Sequence, residues 1–222
     1  KLPDAFTLSA RRGAGFKVTD AKINGKPLLE LGNNTTVRNL TIVYMNTPEL
    51  GGRSYKHGVD FFDKCGISAS VKSGILIKNC RLEGMISHHI RLSNCKQSKV
   101  IGCQIVGGFW AVTISGEDLV FQRCLFEKSC CDCIKGGADG ALIEDCVFQD
   151  TCRDGIDTTG GLNDTVIRRC IFRRLGFPHH AVGLVEEHIL VSQHQAVEGI
   201  QIAVKRRLDQ CRFIHRLSLA DK

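Results

Sequence analysis

The sequence predicts an all-β solenoid, a parallel β-helix of about eight coils with a repeat of about 22 residues. Two recurring features predict this fold. Five cysteines return at a nearly constant spacing, each within the same apolar pattern, and a second apolar segment recurs between them. In addition, no segment before roughly the last forty residues has the 3.6-residue apolar period of an amphipathic helix, which disfavours an α-solenoid. The leucine-rich repeat, the main rival at this period, is disfavoured because its LxxLxLxxN pattern is missing.

The first recurring segment is anchored on Cys80, Cys103, Cys124, Cys146 and Cys170, which are separated by 23, 21, 22 and 24 residues. Leu40 fits the same pattern before them, and His188 and Cys211 fit it after them. Apolar residues stand three positions before each anchor and two positions after it: Val37, Ile77, Val100, Phe121, Ile143, Ile167, Val185 and Leu208 before, and Ile42, Leu82, Ile105, Phe126, Phe148, Phe172, Leu190 and Phe213 after. This spacing breaks the two-residue period of a strand, so we expect a corner at dipeptides such as KN, ED and RR.

The second recurring segment reads HGVDF, HHIRL, WAVTI, DCIKG and DGIDT, with centres at Val59, Ile90, Val112, Ile134 and Ile156. EGIQI, centred on Ile200, lies two periods beyond the last of these. Strand-forming Val, Ile and Phe fill both segments, and Asn, Asp, Gly and Ser fill the turns. Each repeat therefore predicts two short strands joined by polar turns.

The chain contains 12 cysteines, which the repeat explains without metal or redox chemistry in the anchor column. Stacked coils place equivalent residues about 4.8 Å apart, so the anchors should form a buried cysteine ladder. Cys130 and Cys152 both lie four residues before a second-segment centre, so they should be vertical neighbours within the Cα distance of a disulfide. The CCDC run at 130–133 does not predict zinc, because no second pair stands at ligand spacing.

Composition favours one folded domain with acidic partners. The hydrophobic fraction is 43% and the net charge is +7, which biases association towards polyanions. We expect a partial coil or cap at 1–27, regular coils at 28–214 and a tail at 215–222. We expect no membrane span, and we expect that any targeting signal lies outside the given residues. Nucleic-acid binding is not predicted, because aromatic residues do not interleave with the basic turns.

Three stretches resemble coils of the right-handed parallel β-helices of the pectin lyase-like superfamily: LLELGNNTTVRNLTI, DCIKGGADGALIEDCVF and DGIDTTGGLNDTVIRRCIF. The resemblance covers about residues 28–214 and implies a right-handed coil. Members include pectate and alginate lyases, polyuronate epimerases, polygalacturonases and non-catalytic adhesins. The catalytic motifs of polygalacturonases, of one large pectate lyase group and of alginate epimerases are missing. The resemblance thus implies a secreted, periplasmic or cell-surface protein acting on an acidic polysaccharide, by uronate β-elimination or epimerisation. The alternative is a non-catalytic binding or structural protein.

Two outward columns of the second segment concentrate residues that can carry this chemistry. The residues after the strand centres are Asp60, Arg91, Thr113, Lys135 and Asp157. The residues two positions before the centres are His57, His88, Trp110, Asp132 and Asp154. Because these columns stack along one edge, an extended polymer could lie across them.

β-Elimination requires a cation at the uronate carboxylate and a base for the C5 proton. We expect Lys135 to be the base, with Arg91 and His88 as alternatives. We expect Trp110, Asp60, His89 and His57 to bind substrate. Asp132, Asp154 and Asp157 predict a calcium site, since carboxylates are its preferred ligands. Structural alternatives are Asp132 and Asp154 as caps of strand entry, Lys135 and Asp157 as an exposed ion pair, and Trp110 as a buried packing residue.

Overall fold

A computed structural model describes residues 1–11, 14–18, 26–44, 65–85, 87–157, 161 and 163–175, together with the backbone of 191–192 and 201–203. The part of the chain in these ranges forms strands and turns but no helix. The described residues therefore contain no helix that is long and apolar enough to cross a membrane.

The described residues form 22 strands. The first eleven are β1 Thr7–Ser9, β2 Gly15–Val18, β3 Leu29–Glu30, β4 Thr36–Arg38, β5 Thr41–Tyr44, β6 Cys65–Ser70, β7 Leu76–Lys78, β8 Arg81–Glu83, β9 His88–Lys96, β10 Lys99–Ile101 and β11 Gln104–Val106. The others are β12 Trp110–Glu117, β13 Val120–Gln122, β14 Leu125–Glu127, β15 Ile134–Asp139, β16 Leu142–Glu144, β17 Val147–Thr151, β18 Ile156–Asp157, β19 Val166–Arg168, β20 Ile171–Leu175, β21 Val191–Ser192 and β22 Gln201–Ala203.

These strands build three parallel sheets, which confirms the predicted β-solenoid. Sheet A has the order β1-β4-β7-β10-β13-β16-β19-β22, sheet B the order β2-β5-β8-β11-β14-β17-β20, and sheet C the order β3-β6-β9-β12-β15-β18-β21. Successive strands along the chain belong to sheets A, B and C in turn, so each coil contains three strands. The prediction of two strands per coil is wrong, because the corner before each anchor splits the first segment between sheets A and B. The handedness and the number of coils stay predictions.

The predicted apolar columns form the core. All members that lie in the described residues are buried: Val37, Ile77, Val100, Phe121, Ile143 and Ile167 in sheet A, and Ile42, Leu82, Ile105, Phe126, Phe148 and Phe172 in sheet B. Three phenylalanines stack face to face, with ring centroids 4.9 Å apart between Phe126 and Phe148 and 4.8 Å apart between Phe148 and Phe172. Coil-to-coil stacking therefore buries each of these side chains against its copy in the next coil.

The corner between sheets A and B is set by the residue before each anchor. This residue has a positive φ in six consecutive coils, at Asn39, Asn79, Gly102, Arg123, Asp145 and Arg169. Asn, Asp and Gly tolerate this left-handed conformation best, which explains the KN and ED dipeptides. Arg123 and Arg169 adopt it without that advantage. The corner predicted from the apolar spacing is confirmed.

The anchor cysteines form the predicted ladder. Cys80, Cys103, Cys124 and Cys146 are buried, and Cys170, the last anchor among the described residues, is half-buried. Each thiol contacts two carbonyl groups; Cys124 Sγ, for example, donates to Gln122 O and Val100 O, both at 3.4 Å. A cysteine at the corner is thus small enough for the interior and still satisfies backbone acceptors that turn away from the sheets.

The predicted register is wrong at the two ends of sheet C. Ile67, not Val59, pairs with Ile90, and Val191 continues the column beyond Ile156. Residues 201–203, predicted to extend sheet C around Ile200, pair instead with β19 in sheet A. In both regions, the chain between the sheet B and sheet C strands is longer than in the middle coils, so a fixed period misplaces the next strand. His188 and Cys211 lie outside the described residues.

Truncation of the central phenylalanine should be costly. We expect Phe148→Ala to lower the free energy of unfolding by about 3–5 kcal/mol, because rings above and below it prevent collapse of the cavity. The matched control is Ile171→Ala on the same sheet, where the side chain is 51% exposed and the loss should stay below about 1 kcal/mol. Chemical denaturation measures both variants. Equal losses would show that the phenylalanine column is not the core.

Candidate functional site

Sheet C carries the predicted functional residues on adjacent strands. Arg91 on β9 pairs with Thr113 on β12, which pairs with Lys135 on β15, which pairs with Asp157 on β18. The predicted order of this column is therefore confirmed for these four residues. Ser68 on β6 occupies the next position, where Asp60 was expected. Asp60 and His57 themselves lie outside the described residues.

Three carboxylates converge at one end of this column. One oxygen each of Asp132, Asp154 and Asp157 lies within 4.8 Å of the others. Asp132 and Asp154 end the turns that lead into β15 and β18, so the repeat brings them together with Asp157 in the adjacent strand. We call these three residues the carboxylate cluster. Asp132 and Asp157 are buried and Asp154 is half-buried, so the cluster opens to solvent at Asp154.

Lys135 neutralises part of the cluster. Its Nζ lies 2.6 Å from Asp157 Oδ2 and 3.6 Å from Asp132 Oδ2. Burial opposes the charge of Lys135, but the hydrogen bond to Asp157 and the nearby Asp132 outweigh it and raise the pKa of the amine. Lys135 is therefore an ammonium at neutral pH. The interpretation of this pair as exposed is wrong, because the side chains of Lys135 and Asp157 are only 27% and 6% exposed.

Asp132 is the structural centre of the cluster. Its Oδ2 accepts hydrogen bonds from Trp110 Nε1 and from Cys131 Sγ, both at 3.2 Å. Its Oδ1 accepts the backbone N–H of Asp154 at 3.3 Å. The carboxylate is fully buried yet well hydrogen-bonded, which is the condition for a stable buried charge. Asp132 therefore caps the entry to the next coil, as its structural alternative predicted, while also lining the cluster.

Asp154 differs from its two neighbours. Burial and then the nearby Asp132 charge raise the pKa of its carboxyl group, and Arg153 and Lys135 only partly oppose them. The side chain lies at the open edge of the cluster. Asp154 is therefore the carboxylate whose charge is least well compensated, and the first to gain from a bound cation or proton.

The aromatic and histidine side chains predicted to bind substrate or to act as a base are buried in the described residues: Trp110, His88 and His89. Trp110 is only 8% exposed and stacks on His88 with ring centroids 5.0 Å apart, so it offers no open face to a sugar. Lys135 Nζ lies 5.8 Å from the Trp110 ring centroid, which covers the ring further. Burial, reinforced by the Arg91 charge, lowers the pKa of His88 to about 3. His88 is thus neutral but enclosed, which makes it a poor proton acceptor for a bound polymer.

His89, which is predicted to bind substrate, is also enclosed. It is 1% exposed, and its Nε2 accepts a hydrogen bond from the backbone N–H of Met85 at 3.3 Å. Burial lowers its pKa to about 3. Arg91, by contrast, remains half-exposed, and its Nε donates to Ser93 Oγ at 3.2 Å.

Two residues beside the cluster escaped the sequence analysis. The Cys131 thiol donates to Asp132, and burial followed by the Asp132 charge raises its pKa to about 11. Arg153 Nη1 donates to Cys131 Sγ at 3.3 Å, which holds an exposed guanidinium at the rim. Arg153 stands 22 residues after Cys131, so the repeat could have paired them. The sequence did not predict Cys131 and Arg153 as site residues because neither belongs to the two columns counted from the strand centres.

Gly136 shapes the backbone directly after Lys135. Its φ is +115°, a conformation that side chains with a Cβ rarely adopt. A Cβ at this position would lie 2.1 Å from the carbonyl oxygen of Ile114 on the adjacent strand. The glycine therefore allows β15 to approach β12 closely at the point where Lys135 turns towards the carboxylates.

The arrangement combines an ammonium, three carboxylates and two guanidinium groups in sheet C and in the turns that lead into it. Such a face can bind carboxylate-bearing or cationic ligands, depending on which charges are already paired. No protein-family model matches the chain, and a search of curated proteins gave no match. The function is therefore argued from the geometry.

Removal of the ammonium should destabilise the fold. We expect Lys135→Met to cost about 3–5 kcal/mol, because it leaves Asp132 and Asp157 buried without their cation. This differs from the small effect that an exposed pair would give. The matched control is Lys96→Met in sheet C, whose pair with Glu117 is 59% and 52% exposed and should contribute less than about 1 kcal/mol. Denaturant unfolding at neutral pH tests this; similar costs for the two variants would contradict it.

Replacement of Asp154, the carboxylate at the open edge of the cluster, should stabilise the protein at neutral pH. The folded pKa of Asp154 is raised above 3.8, so its ionisation costs stability above the folded pKa, and this cost disappears as the pH falls towards 3.8. We expect Asp154→Asn to gain up to about 1 kcal/mol at pH 7, since partial exposure screens the repulsion. The gain should vanish in acid. Unfolding at several pH values, with the exposed Glu117→Gln as control, measures it; a pH-independent gain would exclude titration as its cause.

Proposed function

We propose that this β-solenoid is an extracellular carbohydrate-active protein that acts on an acidic polysaccharide along sheet C. The observation that carries the proposal is the convergence of the carboxylate cluster with Lys135, next to the half-exposed Arg91 and the exposed Arg153. A neutral glycan would not require this density of charge. A polyuronate would, because each sugar brings a carboxylate that needs a cation, and each reaction at C5 needs proton transfer.

The same proposal includes membership of the pectin lyase-like group of right-handed β-helices. Three parallel sheets and a repeat of about 22 residues support it. Right-handed crossovers between parallel strands are the general rule, which supports that sense of the coil. Fold alone does not select an activity, so the chemistry rests on the cluster.

The shape of sheet C suits an extended polymer. Its side chains repeat at the strand spacing of about 4.8 Å, so Arg91, Thr113 and Lys135 span roughly 10 Å, about the length of two sugar units. Arg91 and Arg153 supply guanidinium groups, which match a carboxylate in two-pronged geometry. We infer that these two arginines hold uronate carboxylates on either side of the reacting sugar.

The carboxylate cluster fits a calcium ion by the chemistry of its donors. Asp132, Asp154 and Asp157 provide oxygen ligands, and the raised pKa of Asp154 reflects negative charge that a cation would relieve. Bound there, calcium would supply positive charge to the substrate carboxylate. Lys135 Nζ already balances part of this negative charge, so the lysine and the ion would compete for Asp157.

Lys135 remains the proposed base, under one condition. While Asp157 accepts its hydrogen bond, the amine stays protonated and cannot remove the C5 proton. When that carboxylate is engaged by another cation, the pKa of Lys135 falls and the free amine becomes a competent acceptor. The ion pair therefore keeps Lys135 protonated, and inactive as a base, until the site is filled.

A non-catalytic binding protein is the second candidate. Burial of Trp110 and His88 favours it, because both side chains are withdrawn from a bound polymer. In that case Arg91 and Arg153 would bind the glycan, and the cluster would only stabilise sheet C. Turnover separates the two candidates, whereas binding alone does not.

The test variant is Lys135→Arg. Arginine preserves the charge opposite Asp157 but is not deprotonated in proteins, so it cannot serve as the base. We expect wild-type protein to cleave polygalacturonate or alginate in the presence of calcium, or to exchange the C5 proton for deuterium. Lys135→Arg should lower the rate by at least about 100-fold, while Lys96→Arg should not change it. Ultraviolet absorbance of the unsaturated product and proton NMR in D₂O measure the two reactions.

Each outcome is informative. Full activity of Lys135→Arg would exclude Lys135 as the base. Binding without cleavage or exchange by the wild type would select the non-catalytic candidate. Absence of both binding and turnover with every polyuronate would overturn the proposed function.

A further inference from the structure

The described cysteines fall into two groups by exposure. Cys130, Cys152 and Cys170 are half-buried, whereas the others are buried: Cys65, Cys80, Cys95, Cys103, Cys124, Cys131, Cys133 and Cys146. An oxidant in solution reaches a half-buried thiol far more readily than a buried one. Cys130 and Cys152 are the two accessible thiols that occupy adjacent coils at the same position of the repeat.

The backbone holds these two residues side by side. Cys130 N–H donates to Gly108 O at 2.8 Å, and Cys152 N–H donates to Ser129 O at 3.0 Å. The Thr151 hydroxyl also donates to Ser129 O and to Cys131 O, which ties the two turns together on both sides. Neighbouring parallel strands place such residues about 4.8 Å apart, within the Cα range of a disulfide. The two side chains are in hydrogen-bonding contact.

The cysteine ladder has the same vertical spacing but different surroundings. Cys146, for instance, is fully buried, and its Sγ donates to Glu144 O at 3.3 Å and Phe121 O at 3.6 Å. A bridge within the ladder would break such contacts and require an oxidant to enter the core. Cys170, at the end of the ladder, has only the buried Cys146 as its ladder neighbour within the described residues. Cys130 and Cys152 therefore combine the spacing that a disulfide needs with access for an oxidant in solution.

We propose that Cys130 and Cys152 form a reversible disulfide, a modification site at the edge of sheet C. The oxidant is a low-molecular-weight disulfide such as glutathione disulfide. One cysteine thiolate attacks it, forms a mixed disulfide and releases one glutathione. The second cysteine then attacks the protein sulfur of the mixed disulfide and displaces the second glutathione. The two cysteines lose two electrons, the oxidant gains them, and the two thiol protons end on the two glutathione molecules.

The bridge would act on the two turns that lead into the carboxylate cluster. Asp132 follows Cys130 by two residues, and Asp154 follows Cys152 by two residues. A bond between the cysteines joins these turns covalently, next to the hydrogen bond that already runs from Asp154 N–H to Asp132 Oδ1. The oxidised form therefore restrains the separation of Asp132 and Asp154, whether or not the protein is an enzyme.

Oxidation of the full chain tests the proposal. Reduced protein is incubated with excess glutathione disulfide, denatured, alkylated and weighed by mass spectrometry. We expect the loss of two alkylatable thiols without a glutathione adduct, and full recovery after treatment with dithiothreitol. Cys130→Ser and Cys152→Ser should each lose this bridge, whereas Cys170→Ser should keep it. Fragment spectra of the linked tryptic peptides 129–135 and 136–153 should assign Cys152 rather than Cys146.

Backbone amide hydrogen exchange gives a second readout. Exchange at 129–134 and 152–157 should slow on oxidation of the wild type and stay unchanged in Cys130→Ser. Retention of all thiols, a glutathione adduct without a bridge, or a Cys146–Cys170 linkage would each overturn the proposal. The serine variants remove half-buried thiols rather than core groups, and their unoxidised exchange patterns show directly whether they fold.

Discussion

The hydrogen-bonded ladder between successive coils is the constraint on which the rest of this structure depends. Once strands pair in register from coil to coil, every residue lies directly above its counterpart about one repeat away. A side chain that is acceptable in one coil must then be acceptable next to its copy. Apolar residues satisfy this condition easily, as the stacked rings of Phe126, Phe148 and Phe172 show. Polar residues satisfy it only if their neighbours change.

The candidate site is the place where that condition is hardest to meet. Stacking brings Asp132 and Asp154 together, and Asp157 adds a third negative charge in the adjacent column. The column places Lys135 directly beside Asp157, so that opposite charges alternate where like charges would otherwise repel. The ion pair is therefore first a consequence of the solenoid, and its partial burial strengthens the attraction between the two charges.

The sequence predicted the core and the order of the site column because both follow from a strict period. It predicted the corner at Asn79 and Asp145 from apolar spacing alone, and the pairing of Lys135 with Asp157 from their separation of 22 residues. It misplaced Val59 because the period fails where a turn is longer. It left open whether Trp110 is exposed or buried, because the repeat fixes where a residue stands along the solenoid but not how deeply its neighbours cover it.

The two stacked aspartates, Asp132 and Asp154, occupy equivalent positions of the repeat but differ in burial and in hydrogen bonding. Asp132 has a coil on each side, receives three hydrogen bonds and is completely buried, so its charge is committed to the fold. Asp154 stands one coil further along, keeps contact with solvent and retains a raised pKa. Burial and the nearby Asp132 charge oppose ionisation of its carboxyl group, and Arg153 and Lys135 only partly offset them. Under the proposed function, the raised pKa of Asp154 makes the open edge of the cluster the place where a cationic ligand would gain most from binding.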